Sequence, residues 1–203
     1  MLSRTLEPGT PGIIEALRCA TRSQHASLAA SPAMARLFHS DYTASEYRAH
    51  LGQLLGLFEP LERAVADATS SEDVVHTLRR SSSLREDLRI MGATAGDISA
   101  LKRCRQLPPI TRAGLPGYNY VILGSMLGGK IIVKRLRAVL GPDASFLFYG
   151  DGISNFDVLW ASFCANLNEN CAYDVQEICA TAVGVFDAYA AWLSQPLPQP
   201  GNF

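Results

Sequence analysis

The sequence predicts an all-α fold: a single domain built as a bundle of about seven to eight helices. Three observations lead there. Apolar residues recur at helical spacing along most of the chain, N-terminal and C-terminal helix signals separate these runs, and no alternating pattern of useful length suggests a strand. The size suits one domain, since 203 residues that are 48% hydrophobic and only 18% charged provide a generous core and little scope for disorder.

The elements follow in order. Thr10-Pro11 reads as an N-cap and first-turn pair, after which Ile13, Ile14, Leu17, Thr21 and Leu28 recur at helical spacing to about Ala29. Thr43-Ala-Ser-Glu46 has the form of a capping box, and Leu51, Leu54, Leu55, Phe58, Leu61 and Val65 keep a helical period to about Ala68. Shorter helices are predicted from about Glu72 to Arg80 and from Leu84 to Met91, with another ending near Cys104 before a break at Pro108-Pro109. The pattern resumes from Leu115-Pro116 to Leu140, where Gly141-Pro142 stops it. Ser154-Asn-Phe-Asp157 opens a segment holding Val158, Leu159, Phe163 and Leu167, and a last helix carries Val175, Ile178, Val183, Phe186, Tyr189 and Leu193. The expected organisation is an N-terminal extension over 1–9, a helical domain over 10–194 and a flexible Pro-rich tail over 195–203.

Charge narrows the partners. Lysine plus arginine total 18 against 19 aspartates and glutamates, a net charge of −1, so there is no basic excess to hold nucleic acid or an anionic membrane. The longest uncharged stretches, Ala113 to Gly129 and Ala188 to Phe203, are interrupted by Pro, Gly and polar residues and suit no bilayer span. Met1 to Thr10 has no signal-peptide core, so a cytoplasmic location is expected. The five cysteines (Cys19, Cys104, Cys164, Cys171, Cys179) form no CxxC pair and read as reduced core thiols.

Two features call for a chemical reason. His25 lies about 40° around the first helix from Thr21 and about 60° from Leu28, which places it on the apolar stripe and pointing inward. Arg18 shares that face, about 20° away and about 10 Å along the axis. The second feature is Gly124-Ser-Met-Leu-Gly128-Gly129 in the middle of an apolar helix, where each glycine costs about 1 kcal/mol relative to alanine. Glycines at i and i+4 clear a groove that suits either a second helix or a flat ligand.

Taken alone, each has a plainer reading: a hydrogen-bonded core histidine, and a close helix crossing. Together they suggest an axial nitrogen facing a glycine-floored space for a planar macrocycle. The remaining histidines carry less. Glu46 with His50 and Glu72 with His76 are one residue too widely spaced for a carboxylate di-iron bundle, so surface or structural roles are expected for His39, His50 and His76. The segment Phe146-Leu-Phe-Tyr149-Gly-Asp-Gly152 reads as a packing loop.

At this point the sequence resembles the biliverdin-forming heme oxygenases, in particular the bacterial branch, including those associated with bacteriophytochromes. The resemblance rests on Leu17-Arg-Cys-Ala-Thr-Arg-Ser-Gln-His25, similar to the family's first-helix pattern L-(R/K)-x-A-T-x-x-x-H, and on Tyr120-Val-Ile-Leu-Gly124-Ser-Met-Leu-Gly128-Gly129, similar to its distal-helix pattern. Weaker likeness continues through Trp160, Phe163, Phe186, Tyr189, Trp192 and Leu193.

The resemblance implies a heme-oxygenase-like bundle in which heme is both cofactor and substrate and iron is held through His25. It further implies a distal cover formed by the helix bearing Tyr120, Gly124, Gly128 and Gly129, with Ser125 in a proton-delivering network. Heme and O₂ would be the ligands and an external electron donor, such as a ferredoxin or flavodoxin system or a small reductant, the partner. Biliverdin, CO and ferrous iron would be the products. Animal-type enzymes carry an aspartate where this chain has Ser125, and basic residues where Trp160 and Cys164 fall. The heme propionates must then find other cations: Arg18 first, with Lys130, Lys134 and Arg135 as looser candidates. Two alternatives stay open, a non-catalytic heme carrier or sensor that keeps His25, and a thiaminase-like enzyme of the same helical fold that would use Cys164, Cys171 or Cys179.

Overall fold

The computed structural model describes residues 12–69, 80–141, 144–150, 155–169 and 174–197, and every regular element among them is an α-helix. There are nine: α1 (Ile13–Ala29), α2 (Pro32–Arg36), α3 (Ala44–Ala68), α4 (Ser81–Ile90), α5 (Ala95–Ala100), α6 (Leu115–Leu140), α7 (Leu147–Gly150), α8 (Phe156–Glu169) and α9 (Val175–Leu193). The count exceeds seven to eight because α2 has 5 residues and α7 has 4, too few for a periodic pattern to register.

Helix α3 forms the spine of the core. Its start is the expected capping box, with the Glu46 amide donating to Thr43 Oγ1 at 3.2 Å and the Thr43 amide donating to Glu46 Oε2 at 2.9 Å. Leu51, Leu54, Leu55, Leu57, Phe58, Leu61 and Val65 are all buried, each stabilising the fold by about 1.5–3 kcal/mol relative to exposure. Pro60 sits inside this helix and has no amide hydrogen for the Gly56 carbonyl. That carbonyl instead accepts from the Cys104 amide at 2.8 Å, which draws the segment after α5 against α3. Gly56 permits the approach, because a Cβ there would strike the Lys102 carbonyl.

The same contact explains one correction. Helix α5 ends at Ala100, not near Cys104, because the following residues run along α3 and bond to it. A second correction concerns α4, which starts at Ser81, ahead of Leu84, with no cap from its own N-terminal residue. Its cap comes from α3, where Glu62 accepts from the Ser81 amide at 2.8 Å and from the Arg80 amide. The helix expected from Glu72 to Arg80 lies outside the described residues except for Arg80.

Helix α9 is the second organising element, with α1 and α6 both packed along it. The α6 crossing is close: a Cβ at Gly117 would meet the Ile178 carbonyl, and one at Gly114 would meet Thr181. Gly12 occupies the N-cap position of α1, and Thr10-Pro11 lies outside the described residues. Gly141 ends α6 with a φ of 84°, a left-handed value that glycine adopts without strain. No described helix is long and apolar enough to cross a membrane.

Candidate functional site

On α1 the apolar arc is centred on Leu17 and Thr21, which are 0% and 2% exposed. The Thr21 hydroxyl donates back to the Leu17 carbonyl at 2.7 Å, so even the polar member of the stripe is satisfied inside it. His25 is solvent-exposed, which corrects the expectation that it points inward. The reason is geometric: it stands about 40° beyond Thr21, at the margin of the buried arc. Its ring lies edge-on to Phe186 of α9, with centroids 6.0 Å apart and planes at 79°. One side of the imidazole is therefore braced by an aromatic edge while the ring stays accessible.

Arg18 shares that margin. Its side chain is 58% exposed and its nearest charged neighbour is Glu15, at 3.9 Å, a distance at which the pair contributes little. It lies within electrostatic reach of Cys164 on α8. The cation is thus held loosely, on the side of α1 that borders α8.

On α6 the glycines divide into two faces. Nothing lies within 4 Å of a Cβ built on Gly124 or Gly128, and both residues are exposed. Leu127 and Ile131, 53% and 66% exposed, fall with them and with Tyr120 within about 100° of arc around the helix. This is an apolar, side-chain-poor face without a cover among the described residues. Gly129, which the resemblance put in the same distal cover, faces elsewhere, while the groove expected from the glycines at i and i+4 is the one Gly124 and Gly128 form. Gly129 is buried, and its Cβ would meet the Tyr149 carbonyl of α7, because one residue's advance turns it about 100° away from Gly128. Its bareness serves helix packing.

Aromatic residues on α8 extend the open face. Tyr120 lies 6.1 Å from Trp160, which stacks on Phe156 at 6.0 Å and meets Phe163 at 5.7 Å. The margin of α1 and the open face of α6 therefore border the same two helices, α8 and α9. Among the other cations, Lys130 and Lys134 are exposed, whereas Arg135 donates to the Phe38 carbonyl at 2.9 Å and ties α6 to the residues after α2. Ser125 is half-buried and its hydroxyl donates to the Ile122 carbonyl at 2.7 Å, one turn back on the same helix.

A buried polar pair escaped the sequence. His50 is 1% exposed in the second turn of α3, with Nε2 2.7 Å from Tyr149 Oη. Burial lowers its pKa to about 4, so the ring is neutral at physiological pH, in keeping with the structural role expected of it. The only hint in the sequence is one histidine amid a leucine run. His39 is exposed and His76 lies outside the described residues. Among the cysteines only Cys104 is a core residue; Cys164 and Cys179 are half-buried, Cys19 is exposed and Cys171 lies outside the described residues. Burial pushes the Cys164 and Cys179 thiols up, the opposite of what a thiolate nucleophile needs.

An accessible imidazole, a bare apolar helix face and the aromatics of α8 and α9 are thus carried on an all-helical protein. The model of the heme oxygenase family matches residues 12–195, and the chain belongs to that family. Among solved structures it is similar to the heme oxygenase from Leptospira interrogans, with a TM-score of 0.68 and 19% identity over 91% of this chain and 99% of that one. At that identity the likeness is one of fold. No curated protein matches.

Proposed function

We propose that this protein is a heme oxygenase, an oxidoreductase that binds heme through His25 and cleaves it to biliverdin, CO and ferrous iron. The residues present fit the group. The observation that carries the reading is the open face of α6, where Gly124 and Gly128 leave a bare strip next to exposed Leu127 and Ile131. Covering two such side chains with a planar apolar ligand returns about 1–2 kcal/mol each. Among the described residues no helix is laid in that strip, and an accessible imidazole is one of the ligands that heme iron takes.

When bound, heme supplies the iron centre at which O₂ is activated against the macrocycle itself. The chain's own residues do the rest. His25 holds the iron from α1, oriented by the edge of Phe186. Gly124 and Gly128 let the α6 backbone approach the ring from the other side, and that bare wall restricts where a small gas can lean. Leu127, Ile131 and the α8 aromatics exclude water from the apolar part of the macrocycle. Arg18 pairs with a propionate, and Lys130 and Lys134 are the exposed α6 alternatives, since Arg135 already donates to the Phe38 carbonyl. Ser125 keeps its hydroxyl proton on the Ile122 carbonyl, which leaves its lone pairs to accept from a water and so to hold a proton donor in place. An external electron donor, such as a ferredoxin, a flavodoxin or a small reductant, supplies the electrons.

The test is hemin added at one equivalent, followed by a reductant under air. Loss of the heme spectrum with release of biliverdin and CO is the expected result. Tight hemin binding with a heme spectrum that persists under reductant and air would instead make the protein a carrier or sensor.

A further inference from the structure

We propose that the buried hydrogen bond between His50 and Tyr149 positions α6 from behind and sets how far its open face stands over the ligand; the inference rests on the heme-binding reading above. Helix α3 is the fixed reference, since Tyr47, Leu51 and Leu54, which flank His50 along it, are fully buried. From it His50 Nε2 reaches Tyr149 Oη at 2.7 Å, with the two rings only 6° from parallel.

Tyr149 belongs to α7, whose four residues are too few to hold a helix unaided. Its start is fastened by buried Asp87 of α4, which accepts from the Leu147 and Phe148 amides at 2.8 Å each and from the Ser145 hydroxyl. Arg80 donates to the Phe148 carbonyl. The His50 contact fastens the remaining end. The Tyr149 carbonyl then occupies the place where residue 129 would carry a Cβ, so backbone meets backbone and the spacing of α7 and α6 is fixed without a compliant side chain between them. Gly128, the next residue back, is on the open face. Contacts thus run from α3 through Tyr149 to the back of the very turn whose front is bare. A buried histidine and tyrosine that served stability alone would act on the core as a whole and leave this turn no more affected than any other.

The experiment is amide hydrogen exchange on the ligand-free protein, wild type against Tyr149→Phe, which removes one hydroxyl and keeps the ring. Exchange at residues 125–132 of α6 should speed up by about tenfold or more, while α3 and α9 change by less than about threefold. His50→Gln in the wild-type background, which retains a group able to bond the Tyr149 hydroxyl, should leave α6 nearer the wild-type rate than Tyr149→Phe does. Gly129→Ala, which strains the same contact from the other side, should reproduce the effect and stands in if Tyr149→Phe does not fold. Unchanged exchange in α6, or an equal rise across α3, α6 and α9, would overturn the proposal. Because the readout needs no heme, a failure here is distinct from a failure of hemin binding in the wild type.

Discussion

At the scale of single residues the candidate site is assembled from groups with few commitments to the fold. Arg18 shows this best: 58% exposed, with one distant carboxylate, it has its hydrogen-bonding capacity in reserve. A guanidinium meeting a propionate makes a charge-assisted contact worth about 1.5–3 kcal/mol, with the lower end appropriate where water reaches it. Arg18→Ala should therefore weaken hemin affinity about tenfold and broaden the distribution of biliverdin isomers, since the macrocycle loses one fixed corner. Titration and product chromatography check both. Unchanged affinity with an unchanged isomer ratio would move the propionate to the α6 lysines. The sequence made His25 and Arg18 visible through their shared face, yet not their exposure. The reason is that a stripe's margin and its centre differ by only about 40°, less than helical periodicity resolves without knowing where the neighbouring helix ends.

At the scale of elements, what was legible depended on length. Helices α3 and α6 were readable to the residue, because each combines many periodic apolar positions with a capping box or a glycine stop; α1 and α9 were readable as periodic runs, the start of α1 lying at Ile13 behind Gly12 in place of the expected Thr10-Pro11 cap. Helices α2 and α7 were not. Ser31 accepting from the Met34 amide, with Pro32 in the first turn, is a proper start signal, but only five residues follow it. Helix α7 takes its N-terminal acceptor from Asp87, some sixty residues earlier, and no local pattern can encode that. The glycine run of α6 likewise looked like one device and is two: Gly124 and Gly128 clear a face, and Gly129 admits α7. The division is testable. Gly128→Leu places a good helix former in open space, so thermal stability should hold or rise by a few tenths of a kcal/mol while heme turnover is lost. Biliverdin production at the wild-type rate would show that this face carries no ligand.

At the scale of the whole molecule, the fold separates a rigid half from a receptive one. Helices α3, α4 and α7 are locked by buried acceptors that cap one another's termini across long sequence separations. Helices α1 and α6, both packed on α9, and α8, packed on both of them, instead present exposed imidazole, guanidinium and apolar groups. Such a division suits a protein whose ligand completes the second half of its core. Whether His25 would hold the heme iron is tested most directly by comparing the ferric and ferrous-CO absorption spectra of hemin bound to wild type and to His25→Ala. The variant should keep its fold, since an exposed side chain is lost. It should give a displaced ferric Soret band and lose the ferrous-CO spectrum of a nitrogen-ligated heme, and added imidazole should restore both. Identical spectra for the two proteins, in both oxidation states, would contradict the account.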